Sequence, residues 1–293
     1  MQYRSIAVTG GNGGLGQAIV DDLSQNARVT SIDVTPGRPG VRSRYADILS
    51  PLALREALDG HDAVVHVAAL LLPSDPEDRM FNVNVVGAWN LLMAAEDLGI
   101  RKVVLISSEC ASGVINIQRM AQPCPDYLPI DEAHPLRPLE TYGLSKQLNE
   151  ITAASFARRG TLQIVALRPT LILMPGMESF VQKVRETDDP DLWSYVELRD
   201  VVAAARLALD YEGPAYDCFY LSARDTFARE ETLAFMERRF GRLPEIRDPD
   251  LYQDNPHAAI WDLQRCENLL GLSSESNWRE FVAGAHKRAS GKS

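Results

Sequence analysis

Short apolar runs rich in valine and isoleucine recur along the first part of the chain, at residues 5–9, 29–33, 63–67, 103–107 and 163–167. Runs of this length without polar alternation suit strands covered on both faces. The longer amphipathic stretches between them, at 14–24, 51–58, 78–98 and 141–158, are helix candidates. Strand and helix alternate as βαβ units, which predicts an α/β fold with a doubly wound parallel sheet. Beyond Arg168-Pro169 the rhythm loosens into proline-bearing loops at 174–176 and 188–191, a strand at 218–221, and helices at 230–240, 263–270 and 278–287. The pattern therefore predicts one large domain over residues 1–168. A smaller lobe follows over 169–293, with part of 193–222 returning to the first domain's core.

The first strand-to-helix turn reads Gly10-Gly11-Asn12-Gly13-Gly14-Leu15-Gly16. Glycines at 10, 13 and 16 let backbone N–H groups approach a phosphate, and the following helix turns its positive end toward that anion. A tight turn without a ligand is the bland alternative, but the motif has the strand before it and the helix after it that it needs. The turn thus predicts a Rossmann domain that wraps a dinucleotide pyrophosphate. The second strand ends at Asp33, where a carboxylate can accept hydrogen bonds from the adenosine ribose hydroxyls, favouring NAD. Arg38 and Arg42 lie close enough in sequence to reach a 2′-phosphate, which keeps NADP open. Asp47 and Ile48 either frame the adenine or stand as an ordinary surface pair.

Composition narrows the partners. With 30 basic and 40 acidic residues the net charge is -10, which disfavours nucleic acid, since phosphate neutralisation needs a basic face. A small-molecule substrate fits better. The cysteines at 110, 124, 218 and 266 are too scattered for a zinc cluster or a disulfide framework, so no metal is expected and the thiols read as reduced. Nothing resembles a signal peptide or a membrane span of ~20 residues, and a cytoplasmic location is the expectation.

The spacing T-G-x-x-G-x-x-G brings a resemblance into view. The chain resembles the extended short-chain dehydrogenase/reductase superfamily, within it the NAD-dependent epimerase/dehydratase family. Asp62-Ala63-Val64-Val65-His66-Val67-Ala68-Ala69 is similar to that family's D-x-x-x-H-x-A-A, whose small residues, here Val67, Ala68 and Ala69, line the cofactor. His66, inside an apolar strand, reads as structural. Asn84-Val85-Val86-Gly87 with Asn90-Leu91-Leu92 resembles N-V-x-G-x-x-N-L-L, and Asn84 matches a polar residue near the active site or, equally, a buried helix asparagine.

Residues 129–138, P-I-D-E-A-H-P-L-R-P, lead into Tyr142-Gly143-Leu144-Ser145-Lys146, similar to the family's P-I-D-E-x-x-P-x-x-P before Y-x-x-x-K. Positions i and i+4 share a helix face, so Lys146 can lie near the Tyr142 hydroxyl and the nicotinamide ribose. A free tyrosine has a pKa of ~10, and a nearby cation favours the phenolate a base needs. The resemblance places a third partner at Ser108, five residues before Gly113, with Ser107 as the adjacent candidate. The family often has V-Y-G where this chain has Ala111-Ser112-Gly113. Glu109 and Cys110 beside Ser108 are candidate substrate contacts.

Arg168, Pro169 and Thr170 match the L-R-P strand end that meets cofactor and substrate. Many nucleotide-sugar enzymes of the group carry an asparagine just beyond, where this chain has Thr170-Leu171-Ile172-Leu173. That departure points toward short members such as the uronate dehydrogenases. Arg199 and Asp200 are expected to pair and cap the next helix, while Lys183 and Arg185 either draw an anionic substrate or form a solvated face.

The resemblance implies an NAD(P)-dependent oxidoreductase acting on a small polar, sugar-like substrate. The alternatives are an NAD-dependent sugar epimerase or dehydratase, and a non-catalytic dinucleotide sensor; retention of Tyr142 and Lys146 argues against the last. A homodimer is expected, through the helix bearing Ile151, Ala154 and Ala157.

Overall fold

A computed structural model describes residues 2–71, 76–115, 123–185 and 194–290, with side chains as far as residue 284. Seven strands form one parallel sheet: β1 (Ser5–Thr9), β2 (Arg28–Asp33), β3 (Ser43–Tyr45), β4 (Ala63–His66), β5 (Lys102–Ile106), β7 (Gln163–Pro169) and β10 (Tyr216–Leu221). Their spatial order is β10-β7-β5-β4-β1-β2-β3, so the chain starts at the centre, winds to one edge, and then crosses β1 to wind to the other. Such an order leaves a crevice at the carboxyl ends of β1 and β4, where the winding reverses. The short edge strand β3 carries no apolar run and escapes sequence reading.

Each face of the sheet is covered, which is why its strands read as unbroken apolar runs. On one side Ile6, Val8, Val65, Val104, Val165 and Leu167 pack against α1 (Gly14–Leu23) and α7 (Leu198–Asp210). On the other, Ala7, Val64, Val103, Leu105, Ile164 and Ala166 meet α2 (Pro51–Leu58), α4 (Gly87–Asp97) and α5 (Thr141–Ala157). Helix α2 starts as its sequence directs, with Ser50 as N-cap and Pro51 in the first turn. The helix expected at 78–98 runs as α3 (Glu77–Phe81), a π-helical turn at Asn82–Val86, and α4.

A third cluster lies beyond the sheet's carboxyl end. It joins Met80, Leu128, Ile130, Tyr195, Phe227, Phe235, Met236 and Trp261 around Tyr142. Its elements are β6 (Tyr127–Leu128), β8 (Ile172–Leu173), α6 (Glu178–Val184), β9 (Val196–Glu197), α8 (Thr232–Phe240), β11 (Glu245–Ile246), α9 (Pro249–Asp254) and α10 (Trp278–Ser290). The loop expected at 188–191 lies outside the described residues. Asp200 does not pair with Arg199: it accepts hydrogen bonds from the Ser274 and Ser276 hydroxyls and from the Glu275 and Ser276 amides, while Arg199 pairs with Glu197 at 3.2 Å. Ala157 packs into the sheet-side core rather than outward.

Candidate active site

The turn from β1 to α1 is built for close approach. Gly10 sits at φ 68°, a conformation favouring glycine, and donates to Ile32 O at 2.8 Å. A Cβ on Gly16 would lie 2.1 Å from Gly10 O, so the helix rests directly on the turn. No side chain caps the first turn of α1, and Gly13 and Gly14 are exposed, which leaves a helix N-terminus open to an anion. A dinucleotide's pyrophosphate fits this glycine cradle.

Asn12 ties the loop to β2: it accepts from Ser31 Oγ at 2.7 Å, and its amide donates to Asp33 Oδ2 at 3.0 Å. Asp33 also accepts from the amide and hydroxyl of Thr35, both at 2.9 Å, and stands at the end of β2 beside the loop. Arg38 is committed to Asp21 at 2.6 Å; Arg42 is exposed. Gly11 is buried against β2, where a Cβ would meet Ser31 Oγ at 2.4 Å.

Several residues expected to touch the cofactor turn out to hold the frame. Leu15 points its side chain into the core. Ile48 is buried against Gly87, and exposed Asp47 bends back to accept from Leu49 N at 2.8 Å. Asn84 spends its carboxamide on the backbone of Leu70, at 2.7 and 3.1 Å, and donates to Ser145 Oγ at 3.1 Å. Ser145 in turn donates to Tyr142 O at 2.7 Å, so the π-helical turn braces the loop after β4 and the start of α5. Val67, Ala68 and Ala69 form the half-buried rim of that loop. His66 shares a hydrogen bond with Thr9 Oγ1 at 2.7 Å. Burial, with the Lys146 charge behind it, pushes its pKa down to about 3, so it is a neutral structural residue, as its apolar strand suggested.

Ser108, Tyr142 and Lys146 converge at the carboxyl end of β5. Ser108 caps a single 3₁₀ turn, Glu109–Ser112, by accepting from Cys110 N at 3.2 Å. Helix α5 packs hard on that turn, for a Cβ on Gly143 would lie 2.3 Å from Cys110 O. Glu140 caps α5 by accepting from the amides of Tyr142 and Gly143, both at 2.6 Å. The Tyr142 and Ser108 hydroxyls are thereby brought within reach of one another. Lys146 Nζ lies 5.4 Å from the Tyr142 ring centre and donates to Ile106 O at 2.9 Å.

The electrostatics differ from the sequence expectation. Burial dominates the Tyr142 phenol and raises its pKa strongly; Cys110, Glu140 and Glu109 add to the rise, and only the Ser108 hydrogen bond pulls against it. Lys146 is itself lowered to about 8 by burial, opposed by Cys110 and Glu150. Glu109 is buried and accepts from Ser194 Oγ at 2.5 Å, joining the 3₁₀ turn to the lobe.

Ser107 and Arg168 point to the α5 side of the sheet, where they meet Glu150, one turn beyond Lys146, rather than Ser108 and Tyr142. Ser107 Oγ donates to Glu150 Oε1 at 2.5 Å, and Arg168 grips the same carboxylate through Nε at 2.9 Å and Nη2 at 2.6 Å. Arg168 is therefore spent on α5, not on the cleft. Pro169 closes β7, and Thr170 donates its amide to Leu221 O at 3.0 Å while its buried hydroxyl has no hydrogen-bond partner. Glu150 escaped the sequence reading although its place, four residues after Lys146, continues the same helix face. Arg185 donates to Phe227 O and lies 3.9 Å from the Trp278 ring centre, and Lys183 is exposed. The four cysteines are free. Among the described residues no cluster of three or more His, Cys, Asp or Glu is placed to hold a metal, and no helix is long and apolar enough to cross a membrane.

The model of the NAD dependent epimerase/dehydratase family matches residues 6–217, spanning the glycine turn, the Tyr142–Lys146 pair and the sheet as far as the start of β10. The chain belongs to that family. Proteins similar to it include dehydrogenases, epimerases and a reductase. An L-arabinose 1-dehydrogenase (NAD(P)(+)) of Haloferax volcanii is 34% identical over 166 residues, covering 56% of this chain and 65% of the relative. A uronate dehydrogenase of Pseudomonas syringae pv. tomato is 25% identical over 171 residues, 57% of this chain and 58% of its own. In both, the match spans less than two thirds of the relative's length. A short-chain dehydrogenase/reductase superfamily protein from Agrobacterium tumefaciens, solved with bound NAD, superposes with a TM-score of 0.72 at 26% identity and 96% coverage of each chain.

Proposed function

We propose that this family member is a dehydrogenase that oxidises a hydroxyl of a small, sugar-like substrate, with residues 169–293, apart from the part of 193–222 that returns to the sheet, forming the lobe that closes over it. The observation that carries the reading is the convergence of Ser108 and Tyr142 at the carboxyl end of β5, with Lys146 one helical turn on and its Nζ 5.4 Å from the Tyr142 ring centre. The glycine turn, Asp33 and the rim at 67–69 hold the cofactor, and Asp33 with Arg38 engaged elsewhere favours NAD over NADP. Bound NAD supplies the hydride acceptor. Ser108 donates a hydrogen bond to the substrate oxygen, Tyr142 exchanges the hydroxyl proton, and the Lys146 ammonium orients the nicotinamide ribose. Glu109 and Cys110 border the substrate.

The sugar-oxidising relatives support this reading. The test is a panel of aldoses, sugar acids and simple alcohols with NAD and NADP, followed by absorbance of the reduced cofactor, for the natural protein and Tyr142→Phe. The variant is expected to bind NAD normally and to lose on the order of 10²–10⁴-fold in turnover. Full turnover in Tyr142→Phe overturns the assignment, and copurified NAD with turnover but no net absorbance change assigns an epimerase instead.

A homodimer belongs to the same proposal. The outer sides of α4 and α5 leave Trp89 46% and Ile151 56% exposed, with Leu144 beside them at 39%. Trp89 stands edge-on to Phe156 of α5 at 5.2 Å, so both helices contribute to one apolar face.

A further inference from the structure

Lys146 has a problem that its own neighbours must solve. It is a buried cation whose ammonium reaches the carbonyl of Ile106, and burial alone strips such a group of its proton. The carbonyl it uses belongs to the last residue of β5, and the next residue, Ser107, is tethered to Glu150 at 2.5 Å. Glu150 lies one turn beyond Lys146 on the same face of α5. Its carboxylate is held at both oxygens: Arg168 engages it in a fork, Ser107 adds to Oε1, and the Tyr216 hydroxyl donates to Oε2 at 3.1 Å.

We propose that Glu150 is a positioning residue for the catalytic lysine: through Ser107 it fixes the strand end that receives the Lys146 ammonium, and it sets a carboxylate one helical turn beyond that ammonium. Arg168 is part of the device, because its fork holds the Glu150 carboxylate on the β7 side, out of a direct pair with Lys146. This rests on the role given to Lys146 above. The charged and titratable groups around the pair are few. Lys146 faces Cys110 from the 3₁₀ turn, Tyr142 and Glu150 from its own helix, and neutral His66 from β4. Glu150 faces Arg168 from β7 together with Tyr216, Cys218 and Tyr220 from β10. Of the two groups that raise Lys146, Cys110 stands before Glu150, so the thiol has to be removed before the effect of the carboxylate is read. The position of Lys146, lowered only to about 8 in full burial, agrees with such support.

The chain has five lysines, few enough to titrate one by one by NMR with ¹³Cε-labelled lysine. The Lys146 signal is identified by its loss in Lys146→Met, and a Cys110→Ser background removes the thiol. In Glu150→Gln the Lys146 midpoint should fall by roughly half a unit or more, and Glu150→Asp should restore part of the fall. Ser107→Ala, which keeps the charge, should leave it in place. Buried Lys102, bonded instead to Gln163 and Tyr211 O, should not move in any variant. If Glu150→Gln fails to fold, Glu150→Gln with Arg168→Met removes both charges and should still lower the midpoint. An unmoved Lys146 midpoint in a folded Glu150 variant overturns the proposal. NAD affinity of the unsubstituted protein, measured alongside, reports separately on the cofactor reading, since the lysine titration needs no cofactor.

Discussion

Tyr142 is surrounded by groups that want it neutral. Its phenol is buried beside Glu109, Glu140 and Cys110, and its proton is held well above the usual tyrosine range. In the direction of carbonyl reduction this is an advantage, since the residue must donate. For oxidation it is an obstacle, and the rate should depend on the fraction of phenolate. Oxidation of an accepted alcohol is therefore expected to climb between pH 6 and about 8, where Lys146 begins to lose its own proton, while reduction stays level over that span. Initial rates in both directions across this range check it; an oxidation rate that declines from pH 6 to 8 would show that Tyr142 is not the proton acceptor. The residues that carry this chemistry were legible because Y-x-x-x-K places them on one helix face by spacing alone. The electrostatic balance was not, because it depends on how deeply α5 is pressed onto the 3₁₀ turn, and Gly143 shows that depth only once the helix is in place.

Helix α5 presents chemistry on one side and bare apolar surface on another. Tyr142, Lys146 and Glu150 look inward, whereas Leu144 and Ile151 look out. Replacing Trp89 and Ile151 together by glutamate should leave a folded monomer, seen as a lower sedimentation coefficient with an unchanged circular dichroism spectrum. A chain that sediments as a monomer without substitution would remove the dimer. At this scale the strands and helices followed from apolar runs and their spacing, with errors at strand ends. Ser107 and Arg168 stand beside Glu150 on the α5 side of the sheet, a placement that sequence distance from a motif does not reveal. Asn84 was ambiguous for a related reason: a helix asparagine can serve a ligand or a neighbouring backbone, and only the partner Leu70 decides.

Across the whole molecule, three of the five histidines, His61, His66 and His134, are held neutral chiefly by burial. A group whose folded pKa lies below its unfolded value contributes stability above the unfolded pKa of ~6.5 and loses it as pH falls toward the folded value. For His66, with a folded value of about 3, the loss between pH 6.5 and pH 5 is about 2 kcal/mol. Urea unfolding at pH 7 and pH 5 should thus show a smaller acid penalty in His66→Asn than in the natural protein. Equal penalties would mean that His66 is not the buried neutral group described. The sheet order itself was within reach of the sequence, since alternating strands and helices with right-handed crossovers leave few arrangements. The lobe was not, because its core forms from short elements far apart in the chain.

One contact between the lobe and the glycine turn has a kinetic meaning. A Cβ on Gly14 would lie 2.8 Å from the terminal methyl of Met174, so the segment after β8 hangs over the open end of α1. A dinucleotide whose phosphates settle there would displace that methyl, which would tie cofactor entry to movement of the segment proposed to border the substrate. Hydrogen exchange should register this as slowed amide exchange at 172–177 on addition of NAD alone. Exchange there that is indifferent to saturating NAD would mean the two events are independent. If the slowing is seen, the first molecule to bind prepares the place of the second.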